Sequence, residues 1–255
     1  MLKALYAGSL EDADRRKASV STSDLERIVS GAAPTLNALE FLAPGDKIKV
    51  LAEVKRASPS KGHLSEIADP ALLANTYADN GASAISVLTE ERRFKGSLDD
   101  LIAVRKAVGI PLLRKDFLAS EYQLLEARAF GADIFLLIVA GLDVRRLAQL
   151  KEFGESLGMT AFVETHNADE VRAAIDVDAK LLGVNARDLS TFETDRNLFG
   201  RLADLIPNGV IKVAESAVRD RTDVEHYRAA GADVVLVGEA LVTNDPGMTL
   251  RSFLA

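Results

Sequence analysis

The chain has 255 residues, no cysteine, three histidines and a formal net charge of −7. Disulfides and thiolate metal sites are thereby excluded, and the net negative charge argues against non-specific nucleic-acid binding. His63, His166 and His226 do not pair at ligand spacing, so no zinc site, metal or other cofactor is expected.

The N-terminus, Met1-Leu-Lys-Ala-Leu-Tyr6, runs quickly into Glu11-Asp-Ala-Asp14. No signal peptide is expected, and no apolar run approaches the ~20 residues of a membrane span. A cytoplasmic location without membrane contact is the expectation. Residues 1–46 differ from the rest. Leu10–Lys17 and Ser21–Ser30 have the pattern of short amphipathic helices, with Ser23 as N-cap of the second and Glu26 three positions on. Pro34, Pro44 and Gly45 punctuate the remainder of this segment. The segment is expected to be a helical extension capping one end of a larger unit, residues 47–255.

That unit opens on an apolar run, Ile48–Val54, which turns polar with Pro59 and Gly62 as breakers. Glu53 and Lys55 are two apart, so in a strand they share a face. Alone they are equally readable as an ion pair closing a strand end. Seven more apolar runs come after it: Ser83–Leu88, Pro111–Leu113, Asp133–Ile138, Thr160–Val163, Lys180–Val184, Val210–Val213 and Asp233–Val237. Helix-like segments lie between them, among them Ala71–Asn80, Leu98–Val108, Glu121–Phe130 and Val144–Leu157. Strands alternating with helices imply βαβ units and a parallel sheet. One joint recurs as Asn80-Gly-Ala-Ser83, Phe130-Gly-Ala-Asp133 and Ala230-Gly-Ala-Asp233, a Gly closing a helix before a strand. Eight units without a G-x-G-x-x-G fingerprint fit a (β/α)₈ barrel better than an open doubly wound sheet.

In such a barrel the active site lies at the C-terminal ends of the strands. The ends read Glu53 and Lys55; Thr89-Glu-Glu91, with Phe94 beyond; Arg114-Lys-Asp-Phe117; Val139-Ala-Gly141; Glu164-Thr-His166; Asn185-Ala-Arg187; Glu215-Ser216; and Gly238-Glu239. So many ionisable ends point to an enzyme. Ala214-Glu-Ser-Ala217 and Val237-Gly-Glu-Ala240 are expected to offer backbone N–H groups and short helix starts after strands seven and eight, where barrels commonly dock a phosphate. The alternative is an ordinary loop with Gly238 as its turn.

These blocks resemble the indole-3-glycerol phosphate synthase family. Glu53-Val-Lys55 with Ser58-Pro-Ser60, Lys115-Asp-Phe117, Glu164, Gly183-Val-Asn185-x-Arg187-Asp-Leu189 and Ala214-Glu-Ser216 are similar to the family's motifs and stand in the same order. The resemblance implies closure of an indole ring on 1-(2-carboxyphenylamino)-1-deoxyribulose 5-phosphate, a phosphorylated small molecule, with loss of carbon dioxide and water. A lysine near the barrel mouth can give the ketone its proton, especially with a pKa lowered by burial or a neighbouring cation, and the resemblance places Lys115 in that role. Lys55 would hold the substrate carboxylate, and the two lysines could exchange roles between steps. Glu53 would orient a lysine and the substrate hydroxyls, Glu164 would be the base for dehydration, and Asn185 and Glu215 would hydrogen-bond near the reacting groups. Ser58, Arg187, Phe94, Phe117 and Leu189 would contact substrate, the last three as an apolar slot or simply as packing. Ser216, Ala217, Gly238 and Glu239 would bind phosphate.

Two positions depart from the family. Ala217 stands where Gly is common, and Glu239-Ala240 supplies no hydroxyl. The first would cost on the order of 1 kcal/mol if the position needs positive φ. A phosphoribosylanthranilate isomerase-like barrel and a catalytically silent binding barrel are the alternatives, and no obligate protein partner is expected.

Overall fold

Eight apolar runs become eight strands: β1 (Lys49–Val54), β2 (Ala84–Leu88), β3 (Leu112–Lys115), β4 (Ile134–Ile138), β5 (Thr160–Thr165), β6 (Leu181–Asn185), β7 (Ile211–Glu215) and β8 (Val234–Val237). The structure is a computed structural model that describes residues 2–188 and 191–255. Every strand pairs in parallel with its sequence neighbours, and β8 returns to β1, closing a (β/α)₈ barrel. All residues of β2, β4, β6 and β8 are buried. This is the reason the runs are apolar without alternation: one face fills the barrel and the other packs under helices. Leu51, Leu113, Phe162, Val213 and Leu236 belong to the interior cluster. Their chain neighbours Val50, Leu112, Val163, Ala214 and Val235 belong to the cluster under the helices.

The repeated joint takes the conformation its glycines permit. Gly81, Gly131 and Gly231 have φ of +99°, +97° and +91°. Each closes a helix in the left-handed region, which a Cβ disfavours.

The first 46 residues differ from expectation in detail. The first helix, α1, spans Leu2–Lys17 and begins eight residues before the expected Leu10. Its buried face mixes Leu5, Tyr6 and Ala13 with Ser9 and Asp12, so apolar spacing does not report it. The second, α2 (Thr22–Ser30), is capped by Ser21, with Asp24 completing the capping box, and not by Ser23 with Glu26. Asp24 reaches the N-cap backbone as Glu would. A third short helix, α3 (Ala38–Phe41), was not expected.

This segment touches both ends of the barrel. At the mouth, the Tyr6 ring packs edge-on against Phe117 with centroids 5.6 Å apart, and Ser9 Oγ donates to Asp116 at 3.1 Å. Alongside, Leu25 packs on Tyr122 and Leu125. At the floor, the Leu36 N–H donates to Asp133 at 2.8 Å, and Ala38 and Leu42 join the interior cluster.

Candidate active site

The period of two in a strand carries the inner face upward from the plug of the barrel. Above Leu51 stands Glu53, above Leu113 stands Lys115, and above Phe162 stands Glu164. Gly183 then Asn185 come after Leu181, Glu215 after Val213, and Gly238 after Leu236. Glu53, Lys115, Glu164, Asn185, Glu215 and Gly238 open on one cavity of 610 Å³. Every site residue expected from the sequence lines it except Leu189, which lies outside the described residues.

At its centre the Lys115 ammonium lies 2.7 Å from Glu215 Oε2 and 3.3 Å from Glu164 Oε2. Burial alone would push this lysine down. The charges of Glu215, Glu164 and Glu53 outweigh it and hold Lys115 well above the usual lysine range, opposite to the lowered pKa expected. The carboxylate next in sequence, Asp116, is taken up by Arg114 and Thr89; the barrel brings the three that act on Lys115 from other strands.

The two carboxylates diverge. Burial raises both, but Glu164 also faces Lys115, His166 and the Asn185 amide, which hold it well below the usual range. Glu215 is pushed up to about 8 by burial and by the charge of Glu164, with Lys115 opposing. Its Oε1 is buried with no hydrogen-bond partner among the described residues. A Cβ on Gly183 would overlap that oxygen, so Gly183 makes the space Glu215 occupies.

Asn185 is oriented by three bonds. Its Oδ1 accepts from Ser216 Oγ at 2.8 Å and from the Arg187 N–H at 3.0 Å, leaving Nδ2 to donate to Glu164 Oε1 at 3.0 Å. Ser216, expected to contact phosphate, thus has its hydroxyl proton on Asn185.

Lys55 Nζ lies 2.5 Å from Glu53 Oε2, as their shared strand face requires. A Cβ on Gly238 would overlap this pair, so glycine there is needed for room. Above it the β1 loop crosses the rim. Lys61 pairs with Glu239, and Arg187 Nη1 donates to Ser60 Oγ at 3.4 Å. Ser58 accepts from the Lys61 N–H at 3.3 Å within that loop. Opposite, Phe94 and Phe117 form an aromatic wall with centroids 6.2 Å apart.

After β7, Ser216 and Ala217 have φ of +68° and +57°. The positive φ suspected at Ala217 is present, and Ser216 shares it. No short helix follows there, contrary to expectation. A single-turn helix, Glu239–Val242, does follow β8.

Several strand-end charges turn out to serve the frame. Glu90 accepts from the N–H groups of Arg92, Arg93 and Phe94. Glu91 pairs with Arg15 and Arg16 of α1. Arg114 points outward into a sealed network. Conversely, the cavity includes Lys61, Arg196 and Arg219, which sequence reading passed over. Both arginines are held by the buried Asp223. Only contact across the fold identifies them. Among the described residues, no three metal-ligating side chains cluster and no helix is long and apolar enough to cross a membrane.

A closed parallel barrel whose strand ends converge ionisable groups on one cavity defines a (β/α)₈-barrel enzyme. By backbone shape the chain is similar to 3-hexulose-6-phosphate synthase from Salmonella typhimurium, with TM-score 0.61 and 18% identity over 81% of this chain and 96% of that one. It is similar also to an N-acetylmannosamine-6-phosphate 2-epimerase from Clostridium perfringens, with TM-score 0.63 and 13% identity over 87% and 98%. At these identities only the fold is shared. The family model described as indole-3-glycerol phosphate synthase matches residues 2–253. Relatives carrying that name are 63% identical in Leifsonia xyli subsp. xyli, over 99% of this chain and 97% of the relative, and 54% identical in Mycolicibacterium smegmatis, over 96% and 90%. The chain belongs to the indole-3-glycerol phosphate synthase family.

Proposed function

We propose that this chain closes the indole ring in tryptophan biosynthesis. It converts 1-(2-carboxyphenylamino)-1-deoxyribulose 5-phosphate into indole-3-glycerol phosphate, releasing carbon dioxide and then water. The observation that carries this reading is the Glu164–Lys115–Glu215 cluster. It shares one cavity with the Glu53–Lys55 pair, the aromatic wall and the left-handed turn.

Ring closure needs a proton on the ketone oxygen as the ring carbon attacks. Lys115 supplies it, since its three carboxylates keep it charged. Glu215, whose carboxyl is pushed up to about 8, stands 2.7 Å away to return a proton. Lys55 pairs with the substrate carboxylate until the carbon–carbon bond breaks and its electrons restore the ring. Glu53 orients Lys55 and the sugar hydroxyls. In dehydration Glu164 removes a proton while the hydroxyl departs as water, protonated by a lysine. Two carboxyl groups with pKa values pushed apart, one up and one down, are what separate acid and base roles require. Asn185 fixes Glu164.

Phe94 and Phe117 make the slot for the aromatic ring, and Leu189 is assigned there from sequence alone. Ser58 and Arg187 contact substrate at the rim. Phosphate sits between the Ser216–Ala217 turn and the helix start at Gly238–Glu239, with Arg196 and Arg219 adding positive charge. Residues 1–46 act as a strap on the 47–255 barrel. The enzyme is assigned to the cytoplasm and works without an obligate protein partner.

The test is indole fluorescence on adding substrate to the purified chain with a chelator present. Turnover at ordinary enzymatic rates, with carbon dioxide released in equal amount, is the expected result. Unchanged substrate would overturn the reading.

A further inference from the structure

His166 stands one residue past β5 and is mostly buried, its side chain 12% exposed. Both ring nitrogens face carboxylates. Nδ1 is hydrogen-bonded to Glu170 Oε2 at 3.1 Å, and Nε2 lies at ion-pair distance, 3.3 Å, from Glu164 Oε1 without forming a hydrogen bond. The surroundings are built to keep this arrangement. Asn167 caps the helix Ala168–Asp176, accepting from the N–H groups of Asp169 and Glu170. Its own amide donates to Glu170 Oε1 at 2.7 Å, while Glu170 Oε2 also accepts from the His166 N–H at 2.7 Å. Glu170 is therefore locked facing the ring.

An ionised carboxylate can only accept. Glu164 is ionised by its own contacts, accepting from Asn185 on Oε1 and from Lys115 on Oε2. A neutral imidazole would turn a lone pair toward one of its two carboxylates. Only the imidazolium, with a proton on each nitrogen, suits both. The groups that face Glu164 are Lys115 from β3, Asn185 from β6, Glu215 from β7, Tyr6 from α1 and His166 itself. His166 is thus a second positive charge on this carboxylate, besides Lys115.

We infer that His166 is a positioning residue for the reaction: as an imidazolium held by Glu170, it sets a fixed positive charge beside Glu164 Oε1 and keeps that carboxylate ionised for dehydration. The inference rests on the reading of Glu164 as the base. Electrostatics agree with the geometry. Burial disfavours the charged ring, yet the carboxylates of Glu164 and then Glu170 raise it to about 10. The arrangement also frees the base from dependence on Lys115, whose charge is disturbed when it gives up its proton.

The experiment compares wild type with His166→Gln and Glu170→Gln over a range of pH. In His166→Gln, kcat should fall on the order of 10- to 100-fold, as for a displaced catalytic group. KM should change little. The acid limb of the kcat profile should move up by about 1 to 3 pH units, because a charge within ~4–6 Å is lost from a carboxylate. Glu170→Gln should move it the same way by less. An unmoved acid limb with unchanged kcat would overturn the inference. Nitrogen NMR of the wild-type ring gives a reading that needs no variant. Both nitrogens should stay protonated above about pH 8, and titration near the ordinary ~6.5 would contradict the fixed charge. Glu164→Gln separates the two claims. If dehydration survives in it, the base reading fails, while the NMR result still judges the fixed charge.

Discussion

Arg114 and Lys115 are neighbours in one strand, and they occupy opposite worlds. Arg114 points through the wall, fully buried. Its guanidinium donates to Gln123 O at 2.7 Å, Thr89 Oγ1 at 3.1 Å, Asp116 Oδ2 at 3.1 Å and Glu126 Oε2 at 3.2 Å. Glu126 is further gripped by Arg16 of α1 at 2.6 Å, and Asp116 by Ser9 and Thr89. Lys115 points into the mouth. One ammonium there serves two carboxylates, and Glu215 Oε1 is left without a hydrogen-bond partner among the described residues. Saturated charge is structural: it has no reason to move a proton. Under-saturated charge beside a cavity is poised to exchange one partner for substrate. Adjacent cations in one strand thus divide into holding and reacting because the pleat sends them to different surroundings.

Lys115→Ala should break the reactive half most severely. We expect kcat to drop by ~10³ or more, since an acid and its charge are both removed. The fold should survive, because this cluster opens on a cavity that water enters and Glu215 can take up a proton. Parallel melts and kinetics check it, and near-normal kcat would refute the acid role.

Arg114→Met should do the reverse. Removing one partner of a sealed ionic network costs about 3–5 kcal/mol. Denaturant midpoints should fall accordingly, while kcat of the molecules that remain folded stays near wild type. Equal damage to kcat would mean the two clusters are not separate.

A smaller effect concerns pH. Glu215 holds its proton to about 8 in the folded state, against an ordinary 4.5, so the folded form binds that proton more tightly than the unfolded chain. The associated stability is complete below pH 4.5 and is lost as pH rises through about 8. Glu215→Gln removes this loss. Across that window the wild-type melting temperature should decline more steeply than the variant's, and parallel curves would contradict the raised carboxyl.

The smallest effect is at the turn after β7. Ala217 sits at φ +57°. Ala217→Gly should relieve about 1 kcal/mol of backbone strain and raise the melting temperature slightly. It should leave kcat alone. Destabilisation by Gly would mean the turn is not strained.

Much of this was legible in the chain. The eight strands could be read because each is a short apolar run bounded by breakers, and three repeat the same Gly-Ala joint. Glu53 and Lys55 could be paired from their spacing alone. The extent of α1 could not be read, because its buried face is half polar and takes its partners, Asp116, Arg92 and Phe117, from loops far along the chain. Nor could apolar pattern tell Arg114 and Lys115 apart; only the family resemblance singled out Lys115. Both faces of the strand are apolar, so nothing local marks which one lines the barrel. Arg196 and Arg219 were missed for a related reason: they lie beyond the strand ends, and Asp223 aims them.

By itself, the sequence determined the barrel, its order of strands and helices, and the ionisable residues at their ends, since backbone propensity and side-chain period act over a few neighbouring residues. The tertiary structure alone decided what those residues are. Glu164 and Glu215 reach Lys115 from 49 and 100 residues away. Together they hold its proton on, where burial alone would take it off. Burial and Coulomb interaction depend on distance through space, and only the closed barrel sets those distances.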